Sequence, residues 1–282
     1  MVYIRSKKVK SDQYLYLVKS VWDKKKQTSK QEILKYLGKA TEVTKEDIPE
    51  EYRNDPKILS VLAKHTPGDI KKRQDASKKS IKQLYKKLTH GDIQGCIQIY
   101  DYYTDIFSSA DFFDKILRPV MHQIGEEWAT YKISIGTEHV ASNVAQTLVK
   151  IIMDRGTNLG KKEKILLCVP VGEEHHLGCD VIETFLSNKG YQVFNMGTSV
   201  PSDSVLDFIK DKKPALVMVS ITIEDNLKAG KRLIKKIKDN FKIPVIVGGH
   251  AFEQEKIPNL DAKVFAKLTL GELPKIIRTS IS

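Results

Sequence analysis

Cysteine is scarce in this 282-residue chain, and the three present, Cys96, Cys168 and Cys179, form no CxxC pair. An odd number of scattered thiols excludes a disulfide framework and argues against a zinc site, which leaves them as small buried apolar residues. Long apolar runs are missing too. Nothing approaches the roughly 18 to 20 residues of a membrane span, and the opening MVYIRSKKVK has no signal-peptide stretch, so a cytoplasmic protein without a membrane partner is expected. Neither GxGxxG nor GKS/T occurs, which removes the usual modes of nucleotide binding.

What is abundant is lysine, and it is unevenly spread. Residues 1–90 hold 23 Lys+Arg against 11 Asp+Glu, whereas the other 192 residues hold 24 of each, so the whole net charge of +12 lies at one end. Such asymmetry is the electrostatic footprint of a protein that meets a polyanion, nucleic acid being the commonest; the alternative is a merely soluble, lysine-rich domain. The excess of Lys over Arg favours non-specific attraction over bidentate base reading.

The texture of the chain changes twice. Within residues 1–75, QYLYLVKSVW, the polar DKKKQTSK and then QEILKYLG predict a β-hairpin or small sheet, followed by a charged stretch with Pro49 and Pro56 and a short helix-like ILSVLAKH. Residues 76–157 show helical periodicity, with Ile81, Leu84, Tyr85 and Leu88 on one stripe and the breaker His90-Gly91 after it. Further helices are expected near Ile93–Phe107, Asp111–Tyr131 with a kink at Pro119, and Glu138–Asp154, which makes an antiparallel four-helix bundle. Beyond the linker GTNLGKKEK, residues 158–282 alternate short apolar runs (KILLCVPV, YQVFNMG, ALVMVSI, PVIVGG and AKVFAKL) with amphipathic stretches around 177–189, 203–211 and 225–240. That is repeated βα, and it predicts an α/β, doubly wound, parallel five-stranded (flavodoxin-like) sheet preceded by a four-helix bundle and a small basic α+β module. Ligands on such sheets bind beyond the carboxyl ends of the strands, at the loops after the first, third and fourth.

The first of those loops reads Gly172-Glu173-Glu174-His175-His176-Leu177-Gly178. An imidazole on a loop over the sheet edge, with a carboxylate two residues before it to fix the tautomer and raise basicity, can coordinate a metal. Gly178 would let a bulky ligand tail pass close to the backbone. Glu173-x-His175-x-x-Gly178 resembles the Asp/Glu-x-His-x-x-Gly signature of cobalamin-binding domains. The resemblance implies that His175 replaces the dimethylbenzimidazole base on the cobalt, and that the displaced tail enters a slot marked by Ser220-Ile221-Thr222 and Gly248-Gly249.

The helical region resembles the four-helix cap of methionine synthases and of cobalamin-dependent photoreceptors. Trp128, followed after nine residues by Glu138-His139, is similar to the Trp-x9-Glu-His motif of adenosylcobalamin-binding photoreceptors and repressors; there the Trp shields the adenosyl group while Glu and His contact it. An indole wall with two polar neighbours suits a sugar and base. Taken alone, Trp128 would be core filler, Glu138 a first-turn acid behind an N-cap Thr137, and His139 a satisfied bundle histidine.

The resemblance implies a cobalamin cofactor, adenosylcobalamin first, with methylcobalamin or hydroxocobalamin as other forms. It implies a sensor or regulator and no catalysis, with a cofactor-dependent homo-oligomer and possible DNA binding through residues 1–90. A corrinoid carrier for methyl transfer and a B12 storage or delivery protein are the alternatives. Against the carrier stand Glu173, where carriers usually have Asp, and the lack of a small pocket suited to methyl. Two departures qualify the regulator. Light-sensing repressors carry a histidine directly after the cap tryptophan, where this chain has Ala129, which leaves His122 or His139 as substitutes to capture cobalt after photolysis. They also begin with a helix-turn-helix, whereas YLYLVKSVWDKKKQTSKQEILKYLG is similar to N-terminal β-hairpins of some transposases.

Overall fold

The computed structural model describes residues 2–9, 12–23, 28–40, 43–63, 67–104, 107–156, 162–252, 260–266 and 268–281. The polar turn expected at 24–27 and most of the linker at 157–161 lie outside them. The chain divides into two compact units, Met1–Lys79 and Ser80–Ser282.

In the first unit, β1 (Val2–Val9), β2 (Asp12–Asp23) and β3 (Thr28–Lys39) form an antiparallel sheet in that order. The alternation of β2 turns Leu15 and Leu17 to one face, where they bury with Ile4, Val43, Ile48 and residues of helix α1 (Pro56–Ala63), Ile58 and Leu62. The predicted hairpin is present as β2 and β3. The additional strand β1 was not legible, because its RSKK run is as polar as a loop.

The second unit opens with the end of helix α2 (Pro67–Thr89) and continues through α3 (Ile93–Thr104), α4 (Ser109–Phe112), a π-helical turn (Phe113–Leu117), α5 (Arg118–Ala129) and α6 (Ile135–Asp154). The expected kink at Pro119 takes the form of that π-turn just before the proline, a rare geometry that relaxes the helical ladder where the ring would clash. Asp114 in the turn accepts the Leu270 backbone N–H at 2.9 Å and pairs with Arg118. Helix α6 starts earlier than expected. Its N-cap is Ser134, whose hydroxyl accepts from the Thr137 N–H, so Thr137 is not the cap.

Then β4 (Lys164–Cys168), α7 (Leu177–Asn188), β5 (Gln192–Asn195), α8 (Ser202–Lys212), β6 (Leu216–Ser220), α9 (Leu227–Asn240), β7 (Val245–Gly248), β8 (Lys263–Phe265) and α10 (Leu273–Ile281) build the sheet domain. All strand pairs are parallel, in the order β5-β4-β6-β7-β8. Successive residues face opposite layers. Ile165, Leu167, Leu216, Met218 and Ile246 join α7, α10 and the upstream helices, whereas Leu166, Val217, Val219, Val245 and Val247 join α8 and α9. The upstream helices and this side of the sheet therefore share one apolar core, and α6 packs on α7. The α/β doubly wound five-stranded sheet with its preceding helices is the expected architecture. Cys96, Cys168 and Cys179 are buried free thiols, all three within these cores. Among the described residues no helix is long and apolar enough to cross a membrane.

Candidate functional site

From β4 the chain crosses to β5 on one side and then returns to β6 on the other, so the loops after β4 and β6 lie side by side at the switch point of the sheet. The Glu173 carboxylate spans them. One oxygen accepts the His175 Nδ1–H at 2.7 Å and the His175 backbone N–H at 3.1 Å. The other accepts the backbone N–H groups of Thr222 (2.9 Å) and Ile223 (3.0 Å) and the Asn226 side-chain amide (3.1 Å). Glu173 is fully buried. Burial by itself would raise its pKa, but the hydrogen bonds from His175, Ile223, Asn226 and Thr222 outweigh it and hold the carboxyl at about 2.

An ionised carboxylate only accepts, so Nδ1 of His175 carries the proton and Nε2 holds the lone pair. The ring is half-exposed and oriented by a fixed partner, which is the arrangement of a metal-ligating histidine. Its own pKa is raised, first by the Glu173 hydrogen bond against opposing burial, then by the negative charges of Glu173, Glu138 and Glu174. The contribution from Glu138 places the first turn of α6 within electrostatic reach of the loop.

The backbone explains how the loop holds its shape. Gly172 has φ +87°, donates its N–H to the Ser199 hydroxyl at 2.9 Å, and Ser199 returns its own N–H to the Glu173 carbonyl at 3.1 Å. On the neighbouring loop Gly249 has φ +116°, and any Cβ there would collide with the Ile221 backbone. The Ile221 N–H donates to the Gly248 carbonyl at 2.9 Å, and Ser220 lies opposite Gly248 in the ladder. A Cβ on Gly178 would stand 3.9 Å from the Ser220 hydroxyl. The missing side chain therefore leaves a cradle between the first turn of α7 and the end of β6, which fits the tail of a corrinoid. Glu173, His175, Gly178, Ser220, Thr222, Gly248 and Gly249 are thus gathered at one sheet edge.

In the helical region, Trp128 ends α5 with 41 % of its surface exposed, and Val140, Ile135 and Tyr131 nearby are exposed too. Glu138 accepts from the Ser142 hydroxyl at 2.6 Å, and His139 is exposed. His122 faces His250, which follows the Gly248-Gly249 pair, with ring centroids 4.7 Å apart. Sequence reasoning missed Asn226 and Ser199. The signal for Asn226 was its place one residue before α9, on the loop that must lie beside the one bearing the histidine.

Comparison with known proteins agrees with this geometry. Residues 163–269 match the family model described as B12 binding domain, and residues 80–153 match a second model of the same description. Relatives include methionine synthase of Mycobacterium tuberculosis, 24 % identical over 51 % of this chain and 13 % of its own length. Dimethylamine corrinoid protein 1 of Methanosarcina mazei is 22 % identical over 57 % of this chain and 78 % of its own length. The HTH-type transcriptional repressor CarH of Myxococcus xanthus is 23 % identical over 49 % and 47 %. The chain thus spans only a small part of the methionine synthase it matches. In fold, it is similar to the solved monomethylamine corrinoid protein of Methanosarcina barkeri, at TM-score 0.59 and 16 % identity over 71 % of this chain and 97 % of that one. The oriented histidine at the switch point, the glycine cradle beside it and the two matched regions together make this chain a member of the B12-binding proteins, carrying both their helical and their α/β domain.

Proposed function

We propose that the protein is a cobalamin-dependent sensor or regulator that uses adenosylcobalamin, in which His175 ligates cobalt through Nε2 and the basic N-terminal unit binds DNA. Glu173, Gly178, Ser220, Thr222, Gly248 and Gly249 hold the lower side of the cofactor, while Trp128, Glu138 and His139 line the upper side. The observation that carries the regulator is the segregation of charge: residues 1–79, ahead of the matched B12-binding regions, hold 20 Lys+Arg against 11 Asp+Glu, nine of the chain's net +12. A carrier that only presents a methyl group to partner enzymes has no use for it. A relative named as a transcriptional repressor supports the same reading.

When bound, adenosylcobalamin supplies a cobalt–carbon bond that visible light can break. The chain's own part is to fill and sense the upper side. Trp128 gives a flat apolar wall against the adenosyl group, and Glu138, at the start of α6, links that wall to the helix that packs on α7. Trp128 would have this group as its cover, and without it the indole would stay exposed in the last turn of α5, a difference that would bias helix packing and self-association. With Ala129 after the tryptophan, no side chain there can ligate cobalt, and His122, packed on His250, is the nearest helical imidazole to the glycine loop after β7.

The experiment is the visible spectrum and size-exclusion profile of protein loaded with adenosylcobalamin, in the dark and after green light. A His175-dependent base-off spectrum in the dark, and a change of both spectrum and assembly on illumination, are expected. Trp128→Ala should lose adenosylcobalamin at least tenfold more than hydroxocobalamin, and equal loss of both would remove its assigned role. The second reading, a corrinoid carrier for methyl transfer, is favoured by the relatives named corrinoid proteins. It predicts unchanged assembly, preference for methylcobalamin and no nucleic-acid binding.

A further inference from the structure

The first unit contains a feature that neither its own core nor the cofactor site uses. Among the described residues, strand β1 pairs with β2 from Val9 opposite Asp12 to Val2 opposite Lys19. Beyond Lys19, β2 pairs with β3, Ser20 with Gln31, Val21 with Lys30, Trp22 with Ser29 and Asp23 with Thr28. At about 3.3 Å per residue these four pairs make a two-stranded ribbon of about 13 Å.

Its apolar face is unusual for an exposed element. Trp22, on the ribbon, is 62 % exposed, and Ile33, at its base opposite Val18, is 66 % exposed, the two most exposed large apolar side chains among the described residues of this unit. By alternation both lie on the face that carries Tyr14 and Tyr16, opposite the buried Leu15 and Leu17. Arg5 and Lys7 of β1 share this face. The Arg5 guanidinium donates across β2 to the Gln31 side-chain carbonyl on this same face, where Val18 between them is buried. Lys19 and Lys30 flank the ribbon on its other face. Strands β1 to β3 themselves hold seven Lys+Arg against three Asp+Glu, residues 40–63 hold 3 against 6, and residues 64–79 hold 6 against 2, so the excess is shared between the strands and the start of α2.

We propose that this ribbon and the sheet at its base dock in the major groove of duplex DNA, with Trp22 of the ribbon and Ile33 at its base against base edges and thymine methyls, and with Lys30 of the ribbon and Arg5, Lys7 and Lys19 of the adjoining sheet toward the flanking phosphates. The groove, about 12 Å wide and 8.5 Å deep, admits a two-stranded β-ribbon. Flat stacking of single-stranded bases is the weaker match, because Tyr36 is packed with Tyr14 and Tyr16, leaving one ring cluster in place of separate stacking stations. Lysines in this number supply a salt-dependent, weakly sequence-selective affinity. The inference rests on the reading of the N-terminal unit as a DNA-binding output and names the surface that reading requires.

The test uses the full chain and fluorescence anisotropy with a labelled mixed-sequence duplex of about 30 base pairs, the matching single strand and an RNA hairpin. Duplex binding is expected to be the tightest, and to weaken about a hundredfold between 50 and 200 mM salt, as roughly four phosphate contacts would give. Trp22→Ala and, separately, Ile33→Ser should each weaken duplex binding about tenfold without changing the salt slope, whereas Lys19→Gln with Lys30→Gln should flatten the slope. Both apolar residues are exposed, so the variants keep the fold, which circular dichroism and an unaltered cobalamin spectrum verify. Tighter binding of the single strand or the RNA overturns the inference. Duplex binding unchanged by all these variants overturns the ribbon while leaving DNA binding as the unit's role. Absence of any duplex binding in low salt, with cobalamin uptake intact, overturns both and leaves cofactor binding standing.

Discussion

At the scale of single residues, the site turns on two buried carboxylates with opposite fates. Glu173 has five donors and stays ionised to about pH 2. Replacing it with Gln puts an amide donor among groups that all donate. Glu173→Gln should therefore cost about 1–3 kcal/mol of stability in urea unfolding and about 10- to 100-fold in cobalamin affinity by spectrophotometric titration. Asp180, one turn into α7, is the reverse case. Asn195 donates to one of its oxygens, while the other is buried with the His176 Nε2 3.5 Å away. Burial raises its pKa, against weaker lowering by His176, Asn195 and Lys150. An acid whose pKa is raised on folding stabilises the fold below its unfolded value and loses that contribution as pH rises through the folded value. Asp180→Asn, which keeps the acceptor for Asn195 and offers a donor to His176, should be more stable than the wild type at pH 8 by on the order of 1 kcal/mol. In thermal melts the difference should vanish below about pH 4, where Asp is protonated in both states.

At the scale of elements, the site depends on how closely the ends of β6 and β7 approach. The Ile221 N–H donates to the Gly248 carbonyl, the Ala251 N–H to the Ile221 carbonyl, and Gly249 between them turns the chain at φ +116° with no space for a Cβ. Gly249→Ala combines a strained φ with a clash against backbone that cannot yield. A loss of about 3 kcal/mol or more in urea unfolding is expected, with weakened cobalamin binding, because the Ile221 backbone that the Cβ would strike leads directly into Thr222 and Ile223, which donate to Glu173. Gly125→Ala, at a half-buried position of α5 where a Cβ meets nothing within 4 Å, should raise stability by about 0.5–1 kcal/mol through helix propensity and serves as the control.

At the scale of the whole molecule, the two compact units hold separate cores, Leu15, Leu17, Ile48 and Ile58 in one and the layers around the parallel sheet in the other. Only the second contains the cobalamin site. Urea unfolding of the full chain should therefore be biphasic, and the two transitions should answer differently to ligand. Hydroxocobalamin at a hundred times its Kd should stabilise the second unit by about 2.7 kcal/mol and leave the transition of the first where it was. A single transition that shifts as one would mean that the units unfold together. The helices and the sheet of the second unit share one apolar core, so they are expected to melt in one step when circular dichroism is compared with tryptophan fluorescence.

The sequence by itself determined the α/β sheet, the helices before it and the position of the histidine loop, because each rests on local pattern: five apolar runs of strand length, stripes of period 3.6, and Glu-x-His ahead of a glycine at the start of a helix. It also determined the uneven charge. Strand β1 stayed hidden, since Lys and Arg on the open face of a sheet look like loop residues until a partner strand gives their backbone its hydrogen bonds. The C-terminal helix α10 was unread for a related reason: its apolar face, Leu273 and Ile277, makes sense only against the sheet layer that buries it. Tertiary structure alone decided that Glu173 is buried and answered by Thr222, Ile223 and Asn226, some fifty residues away, and that Gly249 has no room for a side chain. Those facts follow from the crossing of the chain at the switch point, which brings two loops together that no local periodicity connects. The shared face of Trp22 and Ile33 belongs to the same class, because it is set by the register between β2 and β3.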